Sequence, residues 1–539
     1  MSASAQHPQA TAERLRGLLS SPIAVGIYLV GLTLASVWFR TRSADAAFWM
    51  DEGLSVGIAS HALFDIPSVL KQDGSPPLYY MGLAAWMGWF GRTEAATHAF
   101  SLLASTATIP FAFWAGRTLF DRRTGVIAAS VFASSAFLTA YSQETRMYAL
   151  MVLLSLTTAT FFLLSFVARR RPWLAAFVVS MAAMLYTHGW GIFYGVGCFV
   201  ALMFLAYRDS EGRAGLLKDG ALSFGAVALL FVPWLPTLLY QARNTAAPWA
   251  LSPGFGLPLE LSFLLGGQRI AIALLLASAL GFWRIVSRNG EGVPPVPGPA
   301  VAMAEGLHRR AVAALLLIFG VTIAIGWTLS QFNPAWALRY LSAILGVLLF
   351  AFAICAARSG WLGIAGIAFV VFAGFSPSIN LPINLKSNMR NIGTEVNPRL
   401  KPGALVIVGQ PEQVPLAWYY LPGGMRFADP MGPTSDPRML NWVKVVDRLR
   451  AAEPRRTYDQ LVESVPVGGQ VLLIRPLTVG IMNWSAPWTF EVRRRSAQWS
   501  ELLQRDPRFV KEVASPWFYI PASTVANSAV LYRRTRAER

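Results

Sequence analysis

Five short polar segments sit beside apolar stretches and carry most of the residues able to do chemistry. They are Trp49-Met50-Asp51-Glu52, Asp73-Gly74-Ser75-Pro76-Pro77-Leu78-Tyr79-Tyr80, Tyr141-Ser142-Gln143-Glu144-Thr145-Arg146-Met147-Tyr148, Thr187-His188-Gly189-Trp190 and Asn333-Pro334-Ala335-Trp336-Ala337-Leu338-Arg339-Tyr340. Together they hold carboxylates, a histidine and two arginines, a mixture suited to acid–base work on a substrate with an anionic group. Asp51 has the chemistry of a general base that takes a proton from an acceptor hydroxyl, and Glu52 beside it can hold or orient that base. Glu144 is the second acid of interest. Arg146 and Arg339 offer the planar fork that grips a phosphate, which lysine lacks. Asp73, Tyr79, Tyr80, Gln143, His188 and Tyr340 are the remaining candidate substrate contacts. Each segment also has an ordinary reading. An Asp-Glu pair can be solvated acids at a helix start, Asp73 to Tyr80 a plain loop with an aromatic belt, Glu144 and Arg146 a simple ion pair, His188 a hydrogen-bonding interface residue, and Arg339 a side chain reaching for lipid headgroups.

The elements that must position these segments are apolar helices. The chain has 539 residues, of which 54% are hydrophobic and 14% charged. Soluble domains carry about 25% charged residues, so a water-soluble enzyme with one core is excluded. Cys198 and Cys355 lie inside apolar runs and form neither a disulfide framework nor a zinc pattern. The net charge is +18, and through the apolar part of the chain the basic residues sit in short clusters between apolar runs. That placement reads as membrane topology, not nucleic-acid binding.

Runs long enough to cross a bilayer fall near 22–39, 96–116, 124–141, 147–168, 172–187, 190–207, 219–240, 260–283, 311–329, 338–356 and 360–377, which makes eleven expected spans. The aromatic run 77–91 is short, and counting it as a span would put every later basic cluster on the wrong side. It is therefore expected to lie at the interface, where Trp86 and Trp89 suit the headgroup level. With Arg14 and Arg16 on the cytoplasmic side, the clusters Arg117/Arg122/Arg123, Arg169–Arg171, Arg208/Arg213/Lys218, Arg284/Arg288/Arg309/Arg310 and Arg358 all fall inside. All five polar segments then share the external face. The loop 284–310 reads as a cytoplasmic linker.

Beyond residue 378 the sequence changes character. Strand-like runs at 404–408, 470–474 and 528–532 alternate with helix-like segments near 413–421 and 496–504, which predicts a small α/β domain. The expected architecture is an α-helical polytopic membrane domain, residues 1–378, followed by an external soluble α/β domain, residues 379–539.

The order of the polar segments resembles the GT-C glycosyltransferases, in particular bacterial relatives of the protein O-mannosyltransferases and the lipid A aminoarabinose transferase. Asp51-Glu52 after the first span and Tyr141 to Tyr148 carry most of the likeness. It covers the layout of roughly residues 20–380 and is motif-specific over about the first 200. It implies a multi-pass enzyme of the bacterial cytoplasmic membrane, about eleven spans with juxtamembrane helices in the first loop, and an active site on the external, periplasmic side. It implies a polyprenyl-phosphate-linked sugar as donor and a glycolipid, polysaccharide or protein hydroxyl as acceptor. By matching position, Asp51 would be the base, Glu52 its assistant and Glu144 the second essential acid, with Arg146, His188 and Arg339 facing phosphate or sugar. A divalent metal ion is left open as a cofactor. Two other readings stand beside it, a lipid-linked saccharide flippase or transporter and a polysaccharide ligase or polymerase. The one-sided pile-up of acids and arginines argues against the transporter, whose polar groups gather near the bilayer midplane.

Overall fold

The computed structural model describes residues 21–245, 247–287, 299–376, 386–477, 486–515 and 526–536, with the backbone alone at 299–305. Arg14, Arg16, the Pro-rich centre of the 284–310 linker and the expected domain boundary at 378 lie outside the described residues. The first helices are α1 Pro22–Arg40, α2 Met50–Ala59, α3 Ile66–Asp73 and α4 Leu78–Phe90. Next come α5 Glu94–Leu119, α6 Arg122–Ala133, α7 Ala136–Tyr141, α8 Tyr148–Phe162, α9 Leu174–Leu185, α10 Trp190–Arg208, α11 Arg213–Phe231 and α12 Leu235–Asn244. Then follow α13 Leu257–Leu264, α14 Gln268–Ser287, α15 Pro299–Phe332, α16 Ser342–Arg358 and α17 Trp361–Gly374. Among the described residues eight helical segments are long and apolar enough to cross a membrane, and two shorter apolar ones, Arg171–Leu185 and Trp361–Gly374, accompany them. The protein is a multi-pass membrane protein.

Three expected segments differ in detail. The span 124–141 is broken into α6 and α7 at Ser134-Ser135, where the Ser135 hydroxyl caps the new helix by accepting from Leu138 N at 3.4 Å. The carbonyls freed at the break are taken up by Arg40 from the end of α1. Its guanidinium donates to Phe132 O at 2.8 Å, to Ala133 O at 3.4 Å and to Ser105 O at 2.8 Å. The expected span 260–283 starts only at Gln268, because Gly266 and Gly267, with φ of 105° and 106°, end α13 in the left-handed region. The linker 284–310 is half helical, since Pro299 opens α15 at a position proline favours and alanines follow.

Helix α4, with 13 residues, is about 20 Å long at 1.5 Å per residue, against a hydrocarbon core of about 30 Å. It buries Tyr79, Tyr80 and Leu83 and leaves Trp89 and Phe90 exposed. That is the shape of a helix lying on the bundle.

The region after residue 386 forms α18 Met389–Val396, α19 Val414–Tyr420, α20 Val445–Ala451, α21 Pro454–Glu463 and α22 Pro487–Arg505 around one sheet. Its strands are β1 Leu405–Val408, β2 Arg426–Asp429, β3 Gly432–Pro433, β4 Gln470–Pro476, β5 Phe509–Ala514 and β6 Asn527–Arg534, in the order β3-β2-β1-β4-β6-β5. β1 lies parallel to β2 and β4, with Val406 opposite Phe427 and Leu472, and the outer pairs are antiparallel. The central strand is apolar throughout because both its faces are covered. Leu405 and Ile407 pack with Tyr458, Leu461 and Trp499. Val406 and Val408 pack with Leu416, and that same core takes in Phe48 and Val56 from the first loop. The sheet is thus docked on α2, the helix that carries Asp51 and Glu52.

Candidate active site

Helix α2 begins at Met50, so Asp51 and Glu52 occupy its first turn, where carboxylates complement the exposed N–H groups. Their side chains diverge. Glu52 is fully buried. Its Oε1 accepts from His98 Nε2 at 2.7 Å, Thr145 N at 2.8 Å and Lys386 Nζ at 2.8 Å. Its Oε2 lies 2.6 Å from Lys386 Nζ and accepts from Trp49 N at 3.2 Å. Burial alone would raise this carboxyl, but the Lys386 ammonium and His98 outweigh it and hold Glu52 down at about 2. A carboxylate has about four acceptor positions. All those of Glu52 are taken, so it can hold and orient but has no lone pair left for a substrate proton.

Asp51 faces the other way. Its side chain is 20% exposed and its Oδ2 lies 3.5 Å from Arg339 Nη2. The guanidinium of Arg339 stands 5.7 Å from the Trp49 ring centre, 5.2 Å from that of Trp249 and 5.7 Å from that of Tyr340. Arg146 lies on the same side. It donates to Ser55 Oγ at 3.1 Å, and to Asp51 O and Tyr80 OH at 3.4 Å. Nε of Arg146 and Nε of Arg339 are both buried without a partner. Unpaired buried donors are costly, and two beside one carboxylate make a place for an oxygen-rich anion.

The structure brings all five sequence segments together. Glu144 Oε1 accepts from Trp49 Nε1 at 3.2 Å. Burial, and then the Glu52 carboxylate, push the Glu144 carboxyl up to about 7. The His188 ring lies 4.7 Å from that of Tyr340 and 6.3 Å from that of Tyr148. Burial, with Arg146 and Arg339 nearby, pushes His188 down to about 3, so the ring is neutral. Its Nδ1 accepts from Trp190 N at 3.2 Å, which leaves the proton on Nε2. Asp73 ends α3, and its carboxyl is raised by burial, against hydrogen bonds from Ser75. Tyr80 joins Asp73's loop to the centre through Ser75 at 3.4 Å.

Two of the sequence candidates point elsewhere. The Gln143 amide is spent on backbone, with Oε1 accepting from Ser43 N at 2.6 Å and Nε2 donating to Thr139 O at 2.9 Å. The buried Tyr79 hydroxyl meets Ser101 Oγ at 3.4 Å. Conversely, Lys386, His98, Ser55 and Trp249 belong to the centre and were not singled out by sequence. His98 was the findable one, because an ionisable side chain in an apolar helix is a site hypothesis by default. The donor set does not suit a divalent cation. Lys386 and Arg339 already supply the positive charge beside Glu52 and Asp51, and among the described residues no group of three or more His, Cys, Asp or Glu could hold a metal ion.

No family model and no curated protein sequence matches the chain. Solved structures do. ArnT from Cupriavidus metallidurans in the apo state superposes with a TM-score of 0.51 at 16% identity, over 94% of this chain and 97% of that one. The same protein bound to undecaprenyl phosphate gives 0.51 at 15%, over 95% and 98%. The chain has the GT-C fold. An oligosaccharyltransferase from Archaeoglobus fulgidus gives 0.49 at 14%, over 83% of this chain and 67% of that one. The GT-C likeness to ArnT extends over the membrane helices and the α/β region alike, so the resemblance read from the first 200 residues holds for the fold of nearly the whole chain.

Proposed function

We propose that the chain is an inverting glycosyltransferase that moves a sugar from a polyprenyl-phosphate donor to a hydroxyl acceptor. The reaction would take place at the external face of the bacterial cytoplasmic membrane. The observation that carries this reading is the single centre in which the partly exposed Asp51 carboxylate stands beside two arginines whose Nε atoms are buried and unpartnered. A base and an anion clamp side by side are what such a transfer requires. The sugar–phosphate bond already has a good leaving group, so the cations need only stabilise the departing phosphate. Asp51 would remove the acceptor proton as the hydroxyl attacks in line, inverting the anomeric carbon. The Trp49, Trp249 and Tyr340 rings around Arg339 would exclude water and give a sugar flat surfaces to rest on. Neutral His188 would donate a hydrogen bond without adding charge.

ArnT, which shares the fold, has been seen with undecaprenyl phosphate, and a donor of that chemical class fits arginines at the end of apolar helices. In this reading residues 1–378 are the catalytic membrane domain and 379–539 the external domain. The test is to incubate purified protein with a panel of radiolabelled polyprenyl-phosphate sugars and membrane glycolipid. Release or transfer of sugar supports the transferase. Lipid movement across proteoliposomes with no cleavage would replace it by a flippase.

A further inference from the structure

Lys386 reaches the centre from a segment far along the chain. Besides both oxygens of Glu52, its ammonium donates to Gln143 O at 2.9 Å and lies 3.2 Å from His98 Nε2. His98 Nδ1 is fixed in turn by Ala44 O at 2.6 Å. All three side chains are at least nine-tenths buried. The same C-terminal region grips α2 at two further points. A Cβ on Gly53 would stand 2.8 Å from Leu416 Cα, and one on Gly57 would run into the Arg438 carbonyl oxygen. Only glycine permits that approach, so the α/β domain sits directly on the backbone of α2. Arg390, four residues past Lys386, bonds Glu94 at 2.6 Å and Asp45 O at 2.6 Å, which fastens the chain leading into α2.

Asp51 and Glu52 are neighbours on one helical turn, about 100° apart around the axis. A Glu52 locked inward therefore dictates where Asp51 points. We propose that Lys386 is a positioning residue of the reaction centre: by holding Glu52 it sets the direction in which Asp51 meets the acceptor hydroxyl, and the C-terminal region is thereby a working part of the site. The inference rests on the assignment of Asp51 as base. It also gives the buried Glu52–His98–Lys386 cluster a task, since a buried ion pair adds little net stability over an apolar packing of the same volume.

The test combines transfer kinetics with hydrogen exchange on the full chain in detergent. Lys386→Met should slow sugar transfer by about 10- to 100-fold, the scale of a misplaced reacting group. Affinity for undecaprenyl phosphate should stay within about twofold, because the arginines are untouched. Lys386→Arg keeps the cation and should recover part of the rate. Amides 50–55 should exchange faster in Lys386→Met. Should that variant not fold, Glu52→Gln/Lys386→Met removes both charges together, and the same slow transfer and lost protection are expected. A folded variant of either kind with wild-type rate and unchanged protection at 50–55 overturns the proposal, as does loss of lipid-phosphate affinity in step with rate. Normal transfer by Asp51→Asn would remove Asp51 as base, and this proposal with it, while the transferase reading stands. Absence of any sugar transfer by the wild-type protein would sink the function reading, and exchange at 50–55, which needs no activity, would still judge whether Lys386 locks α2.

Discussion

Asp51 and Glu52 are adjacent in sequence and opposite in circumstance, one partly exposed beside Arg339 and the other saturated with donors. Removing the base without changing its size, in Asp51→Asn, should cost about 10²–10⁴-fold in transfer. Binding of undecaprenyl phosphate, measured by titration, should survive. Arg339→Lys and Arg146→Lys keep the charge and lose the fork, so they should weaken lipid-phosphate binding with little change in melting temperature. Glu144 adds a pH dependence whose sign can be worked out. Unfolded, its carboxyl ionises near the ordinary 4.5, and folded, near 7, raised by burial and by Glu52. Between those values the folded state holds the extra proton, so stability falls as pH rises through that window. Thermal melts from pH 4.5 to 7 should show this slope, and Glu144→Gln should flatten it. These candidates were legible in the sequence because charged residues beside apolar helices are rare enough to notice. The bonds that spend Gln143 on Ser43 and Thr139 were not, since an amide shows nothing of its partners.

Hydrophobic length located the helices, and it could not see what interrupts them. The run 124–141 reads as one span because its serines are compatible with a helix. At the break at Ser134-Ser135 the carbonyls are satisfied from far upstream, by Arg40, 92 and 93 residues before them, and by Ser36. Arg40→Met should strip Phe132 O of its side-chain donor in a dry interior, at about 1–3 kcal/mol, while Ala133 O keeps the Ser36 hydroxyl at 3.0 Å. A lower melting temperature in detergent, with the eight long helices still present by circular dichroism, is the expected outcome. The interfacial placement of α4 has its own check. Arg92→Cys, just past the helix end, should react with an impermeant thiol reagent added from outside intact cells, and labelling from the cytoplasm alone would invert the topology. The glycine pair that ends α13 was visible as letters, but its two left-handed residues were not.

At the scale of the molecule, strands β1, β4 and β6 could be read from their apolar runs, while the docking of their sheet on α2 could not. The contact depends on Gly53 and Gly57, whose absent side chains leave no pattern. Gly57→Ala places a methyl against the Arg438 carbonyl and should loosen the domain, seen as faster exchange in 50–60 together with slower transfer. That arrangement has a consequence in time. Glu52 emerges from the ribosome 334 residues before the lysine that neutralises it, a delay of roughly 17–67 s at about 5–20 residues per second. Until then the carboxylate has no ammonium to enter the dry interior with, and hydration is its cheapest state. The earliest loop must wait in water for the latest domain.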